Sequence, residues 1–406
     1  MRRLANLLWV IILLPLGYAA SSLAQSEPIR IGVLYPLGGP AAIYSKPALV
    51  GHELARDEIN AEGGVLGRPL EFLVRDTKVK PDVAVREARA LVLKDRVDFL
   101  MGGLSSAVGL AISEVAREHR VLIVQPIPKS SAITEERGHR YVVRTASNTV
   151  IEGRAAAVLA AKNPQNRRIY TISLDYEYGH KVTEAFIEHL RRLNPAVEIV
   201  GQAWPRLGET QYTNFITAIL EAQPDLVYSS LWGGHFVAFV KQANPLGYFQ
   251  RLRHLNVAEA GSVEVCRTLG EEMPAGIISN AYDVPEFPDT PAHRRYVEAY
   301  TKRAPYASWG IQGYIATYFL AAAIEKAGTT DTEKVIDAFE GLTIDTPIGP
   351  QTIRAFDHQA SRGQVWGVIT CGGGDPPCKL DHVEYIGAEG LWNSVEEIKR
   401  LRAQSQ

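Results

Sequence analysis

The run Asn60-Ala61-Glu62-Gly63-Gly64-Val65-Leu66-Gly67-Arg68-Pro69-Leu70 constrains this chain more than any other stretch. Glycine accepts positive φ, so Gly63-Gly64 can close a helix in the left-handed conformation. Gly67 can then turn the chain, and Pro69 bars a return to helix before a strand begins at Leu70. Upstream, Ile31 to Tyr35 reads as a strand, and Ala48 to Ala61 as a helix with Leu49, Leu54, Ala55 and Ile59 near helical spacing. Downstream, Leu70, Phe72 and Val74 alternate as a strand should, so the stretch is the middle of a βαβ unit.

The alternation continues. A helix over 83–93, a strand at Phe99 to Met101, a helix around Ala111 to Val115 and a strand at Val121 to Val124 complete a first series. A second series has strands near 169–174, 197–202, 226–230 and 255–257, separated by helices near 178–193, 212–222 and 235–243. Such alternation predicts parallel sheets with helices on both faces, in two lobes. No turn-rich linker separates the series, so the expected crossovers are short, near Arg144 to Asn148 and Glu272 to Ile277.

Residues 1–24 read as a cleavable signal peptide: Arg2 and Arg3, an apolar run from Leu7 to Leu16, and small residues at Ser22 and Ala24. The run falls short of the roughly 20 residues that span a bilayer. No cysteine follows it, which points to a free periplasmic protein and not a lipoprotein. Removing those residues takes away two arginines and no acid, so the net charge moves from −2 to −4. That mild acidity gives no reason to expect nucleic acid or anionic membrane as partner. Of three cysteines, Cys371 and Cys378 flank a flexible Gly-rich loop and suit a disulfide, with metal binding as the alternative; Cys266 reads as a small buried apolar residue.

The order of Ile29-Arg30-Ile31-Gly32-Val33-Leu34, the Gly63-Gly64 turn and Val97-Asp98-Phe99-Leu100-Met101-Gly102-Gly103, followed by Tyr178-Gly179 and Gly313-Tyr314, resembles the periplasmic binding proteins for branched-chain amino acids and related ligands. The resemblance runs with gaps from about Ile29 to Gly387. It implies the type I periplasmic binding protein fold: two doubly wound parallel-sheet lobes joined by a hinge of crossover strands, residues 26–145 with 275–349 forming one and 146–274 with 350–400 the other. It also implies a monomer without cofactor, catching an amino acid or an aromatic or other carboxylic acid for an inner-membrane ABC permease. A ligand-sensing module with a separate signalling partner is the alternative.

In open parallel α/β sheets the ligand crevice lies beyond the carboxyl ends of the strands. There the chain offers Gly102-Gly103-Leu104-Ser105-Ser106, whose backbone N–H groups at a helix start suit a carboxylate, though either serine also suits a simple N-cap. In the family, the loop at Ile127-Pro128-Lys129 faces the same carboxylate with backbone groups and a hydroxyl. Here Lys129 takes the hydroxyl's place, which favours an exposed or additional ligand carboxylate unless the lysine points to solvent. By the same resemblance Trp232 is the aromatic of its loop, Glu259 the acid that binds an amine, and Tyr44, Tyr178 and Tyr314 walls of the side-chain pocket. Plain packing, or for Glu259 a solvated surface position, is the alternative for each.

An enzyme is disfavoured. Gly103-Leu104-Ser105-Ser106-Ala107 lacks the final glycine of a nucleophile elbow, no Gly-Lys pair marks a phosphate loop, and His52-Glu53 is followed by Arg56 where a zinc motif needs histidine.

Overall fold

The computed structural model describes residues 27–374 and 376–405, so the expected signal peptide lies outside the described residues. Fourteen strands and their helices form two lobes. The first sheet is built from β1 (Ile29–Tyr35), β2 (Leu70–Asp76), β3 (Phe99–Gly102), β4 (Ile123–Gln125) and β5 (Val142–Arg144) in the order β2-β1-β3-β4-β5, all parallel. The second contains β6 (Arg168–Ile172), β7 (Glu198–Ala203), β8 (Leu226–Ser229), β9 (His254–Asn256) and β10 (Ile278–Ala281). A small hairpin, β11 (Thr343–Thr346) with β12 (Gly349–Thr352), precedes β13 (Gln364–Cys371) and β14 (Cys378–Ile386), which close the second sheet as antiparallel edge strands in the order β14-β13-β10-β9-β8-β6-β7. Cys371 and Cys378 face each other at the hairpin end of β13 and β14 and are joined as a disulfide.

Two boundaries differ from the expectation. β10 pairs with β9 and β13, so the chain leaves the second sheet after Ala281 and not near 275. It returns through residues 353–363 rather than at 350. The reason is hydrogen bonding: Ile278–Ala281 fills the slot between a parallel and an antiparallel neighbour, which the hydrophobic pattern alone does not reveal. The first and third crossings meet at the hinge, where Arg144 N–H donates to His358 O (3.0 Å) and Ala360 N–H to Arg144 O (2.9 Å). The buried Arg144 guanidinium also donates to Gln359 Oε1 and Thr134 Oγ1, both at 2.6 Å, and to Ser130 O. The helix Val395–Gln404 straps across this region, with Arg402 donating to the Glu135 and Thr134 carbonyls.

The helix expected from Ala48 begins at Ala42 and carries Pro47 inside it, which puts Tyr44 on its first turn. It ends as the glycines foretold, with Gly64 N–H donating to Ile59 O at 2.9 Å and positive φ at Gly63, Gly64 and Gly67. This helix packs backbone to backbone on Gly310–Ala327, the helix that returns to the first lobe. A Cβ on Gly51 would stand 1.9 Å from Gly310 O, and one on Gly313 2.0 Å from Ala48 O. The alanine variants Gly51→Ala and Gly313→Ala should therefore lower the unfolding free energy by about 1–3 kcal/mol in urea melts, overpacking outweighing the gain of roughly 1 kcal/mol in helix propensity. An unchanged midpoint would mean the helices part at no cost.

Candidate functional site

The loops after strands of both sheets face each other across the cleft between the lobes. From the first lobe, Gly102 (φ +110°) turns the chain out of β3 where a side chain would strike Leu34 O at 2.5 Å. Ser105 then caps the helix Ser106–His119, its Oγ accepting from Val108 N–H (3.3 Å), and Ser106 Oγ accepts from Ser130 N–H (3.0 Å). The N–H groups of Ser106 and Ala107 open the helix without intrahelical acceptors and face its positive end. Ile127 and Lys129 follow β4.

From the second lobe, Trp232 stands before Gly233–Ala243, and its indole donates to Tyr176 OH at 3.0 Å. Glu259 follows β9 in the left-handed region (φ +58°). That conformation is uncommon for a glutamate and needs outside support. Support comes from Asn280 Oδ1, which accepts Glu259 N–H (2.9 Å), and Asn256 Oδ1, which accepts the N–H groups of Ala258 (2.9 Å) and Ala260 (3.2 Å). The side chain is thereby held toward the first lobe.

Tyr44, Ser105, Ser106, Ile127 and Lys129 of one lobe and Tyr178, Trp232 and Glu259 of the other line a single cavity of about 30 Å³. Space of that size holds about one water, so any larger ligand enters only when the lobes part. Tyr314 is not there. Its hydroxyl donates to Glu58 Oε2 (2.7 Å) and its ring lies against Tyr296 and Tyr318 in a separate groove of the first lobe. Gly313 faces Ala48 and His52 of the neighbouring helix, and Tyr314, about 100° further round, reaches Glu58 near the other end of that helix instead of the cleft.

Lys129 was expected to bring an uncompensated positive charge into the cleft or to reach solvent. It does neither. Its ammonium is buried and bonded to Glu259 Oε1 and to Glu152 Oε1 (2.9 Å). Gln364 Nε2 bridges the same two oxygens at 2.6 and 2.9 Å, while Ser147 and Tyr282 hydroxyls also reach Glu152 Oε1. The faces of Tyr282, Trp309 and Tyr178 surround the ammonium at 4.9, 5.5 and 5.6 Å from their centroids. Burial by itself would lower the Lys129 pKa, but the attraction of Glu152 and Glu259 outweighs it and holds the value well above that of a free lysine. Burial, with Glu152 beside it, pushes Glu259 up to about 8 against the opposing pull of Lys129. With both carboxyls ionised, two carboxylates against one lysine leave the cluster one negative charge in excess, and the proton that Glu259 holds below about pH 8 cancels it. Among the described residues no hydrogen bond reaches Glu259 Oε2, although Glu259 lines the cavity.

Glu152, Gln364, Tyr282 and Trp309 escaped the sequence reading. Glu152 looks like an ordinary first-turn acid of the helix Thr149–Ala161, and Gln364 and Trp309 stand in segments without a motif. Trp309 stacks on Tyr44 (centroids 4.1 Å apart, planes 13° apart), and its backbone N–H is accepted by Glu264 Oε1 of the opposite lobe at 2.9 Å. Tyr44 OH in turn accepts Gly233 N–H across the cleft at 2.8 Å. Among the described residues no three His, Cys, Asp or Glu side chains are placed to hold a metal ion, and no helix is long and apolar enough to cross a membrane.

Two facing α/β lobes, a three-crossing hinge and a polar cleft define a hinged solute-binding protein. The periplasmic binding protein family model matches residues 28–369, and the chain belongs to that family: it is a binding protein and not an enzyme. It is similar to the Leu/Ile/Val-binding protein BraC3 of Rhizobium johnstonii, 29% identical over 341 residues, covering 82% of this chain and 89% of that one. The Leu/Ile/Val-binding protein of Escherichia coli is 22% identical over 339 residues, covering 83% and 89%. Among solved structures, the Thermotoga maritima leucine-binding protein LivK superposes with a TM-score of 0.76 at 23% identity (87% and 98% covered). A Rhodopseudomonas palustris ABC-transporter solute-binding protein in complex with 3,4-dihydroxybenzoic acid gives 0.78 at 20% identity (89% and 96%). Both have the type I periplasmic binding protein fold.

Glu264 offers a test of the closed arrangement. Burial pushes it up to about 7, the N–H groups of Trp309 and Ser308 pulling part of the way back. An unfolded glutamate releases its proton near 4.3, so between the two values the native state binds more protons and stability falls as pH rises, by at most about 1.4 kcal/mol per pH unit for one group. Glu264→Gln should flatten the slope of stability between about pH 5 and pH 7 by close to one proton. A variant with the parental slope would show that Glu264 is charged throughout.

Proposed function

We propose that the protein is exported by its first 24 residues, binds a zwitterionic amino acid with an apolar or aromatic side chain between its lobes as a monomer, and presents it to an ABC permease of the inner membrane. The observation that carries the ligand class is the charge excess around Lys129: two buried carboxylates face one ammonium, and Glu259 Oε2 is left over. Burying that excess charge is costly, so Glu259 keeps a proton until a second ammonium in the cavity takes its place. In this reading the ligand ammonium bonds to Glu259 Oε2. Its carboxylate takes the N–H groups of Ser106 and Ala107, and its side chain lies among Tyr44, Tyr176, Tyr178 and Trp232. The names of the Rhizobium and E. coli relatives, both Leu/Ile/Val-binding proteins, agree with this class. Contacts to both lobes exist only when they are closed, so ligand shifts the population toward closure.

One observation favours a second reading, an aromatic carboxylic acid. Lys129 already holds an ammonium against Glu259, and R. palustris proteins of this fold were solved with benzoate and hydroxybenzoates. The two readings separate by titration calorimetry of L-leucine and L-phenylalanine against the des-amino acids 4-methylpentanoate and 3-phenylpropanoate, with benzoate alongside. The amino acids should bind, and their des-amino partners should be weaker by roughly 2–5 kcal/mol, as should the amino acids themselves on Glu259→Gln. Since a ligand ammonium displaces the Glu259 proton, affinity should rise with pH up to about 8, with proton release seen as a buffer-dependent heat. Tighter binding of the des-amino acids, or proton uptake, would establish the second reading instead.

A further inference from the structure

The surroundings of the Lys129 ammonium are those of a cation-binding site that the protein fills with its own side chain. Three aromatic faces stand within 4.9–5.6 Å, two carboxylate oxygens bond to it, and Gln364 holds those oxygens together. Aromatic faces and carboxylates together recognise a desolvated ammonium wherever it comes from. Lys129 reaches this place from the first lobe, whereas Glu152, Glu259 and Gln364 belong to the second lobe, Gln364 at the start of β13. Two other buried cations stand near the cluster without bonding to it: Arg144 bonds to Gln359, Ser130 and Thr134 at the hinge, and Arg362 donates through one nitrogen to Tyr282 O and lies 5.6 Å from the Tyr282 ring centroid. Within the cluster the charged groups that bond to one another are Lys129, Glu152 and Glu259.

Resting on the amino-acid reading above, we infer that Lys129 is an internal counter-cation that sets the permitted charge of the ligand. Two carboxylates can hold two ammonium groups. Lys129 permanently supplies one, so the site accepts ligands bringing one positive charge and rejects those bringing two, such as basic amino acids. Leucine or phenylalanine fits beside Lys129. Lysine or ornithine would place a third ammonium against two carboxylates in a dry cavity, where like charges repel strongly. A Lys129→Met variant frees one carboxylate and the aromatic cage, and turns the same cleft into a receptor for a dicationic ligand. Glu152→Gln acts in the opposite direction: Lys129 and Glu259 then balance, and no charge is left for the ligand ammonium.

The test is titration calorimetry of L-leucine, L-ornithine, L-lysine and 4-methylpentanoate against the parent, Lys129→Met and Glu152→Gln, each first checked for a cooperative thermal transition. The parent should bind L-leucine and reject the basic amino acids. Lys129→Met should change the leucine-to-lysine preference by ~100-fold toward lysine or ornithine, the scale expected when a buried like-charge contact becomes an opposite-charge one. Glu152→Gln, which does not depend on the lysine variant folding, should lose L-leucine and gain 4-methylpentanoate. A parent that binds L-leucine, with both variants keeping its order of preference, would overturn the role of Lys129 while leaving the amino-acid reading intact. A parent that prefers 4-methylpentanoate to L-leucine would remove that reading and this inference together.

Discussion

An ammonium buried without partners would cost several kcal/mol, and in the closed arrangement Lys129 avoids that cost through carboxylates supplied by the other lobe. The lysine comes from the loop after β4, and its carboxylates come from the helix Thr149–Ala161 and the loop after β9. Nothing within the first lobe replaces them. Other polar contacts cross the cleft, among them Tyr44 OH with Gly233 N–H, Trp309 N–H with Glu264, and Ser130 Oγ with Glu177 at 2.6 Å, beside the ring contact of Tyr44 with Trp232. Each joins a group of one lobe to a complementary group of the other. The closed arrangement is therefore held in good part by directional polar contacts that water can replace when the lobes part. That is what a protein that has to release its ligand requires, and it is unlike the close backbone contact of Gly51 with Gly310, which lies within one lobe.

The hinge has to bend without letting the sheets slide. Three chain crossings meet there, and Arg144 ties two of them through its backbone and its guanidinium. Beside it Glu135, buried and pushed up to about 7 by that burial, accepts from Asn148 (3.3 Å) and Asn393 (2.9 Å). The first crossing and the C-terminal segment are thus fastened to one side chain. These bonds lie within the hinge and not across the cleft, so closure can change the angle between the lobes while leaving them intact.

Local elements were legible in the chain because their signals are local. The Gly63-Gly64 stop, the alternation in β2 and the glycines after β3 each depend on a few neighbouring residues, and the loops after strands do border the cavity between the lobes. Eight of the nine expected ligand-facing side chains share one cavity. Relations between distant residues were not legible. Lys129 and Glu259 were each noticed, yet their opposed charges read as competing statements about the ligand, because nothing in the sequence says that residues 130 positions apart bond to each other. Glu152 carries no motif, and its meaning appears only beside Lys129. Tyr314 failed for a simpler reason: on a helix the neighbour of a contact-making glycine points about 100° away from that contact.

The pairing of Lys129 with Glu259 also changes what the aromatic walls mean. On their own Tyr44, Tyr178, Trp232 and Trp309 describe a pocket for a flat or apolar group. Around a charged cluster the same rings exclude water, and in a medium of lower dielectric one unbalanced charge weighs far more than it would at a surface. Selectivity then follows less from the shape of the wall than from the charge it encloses. A hydrophobic pocket discriminates one methylene by only about 1–3 kcal/mol, whereas a buried polar group left without its partner forfeits considerably more of the binding energy. In a cleft built this way the side-chain pocket grades the ligands that enter, and Lys129, Glu152 and Glu259 decide which charge type enters at all.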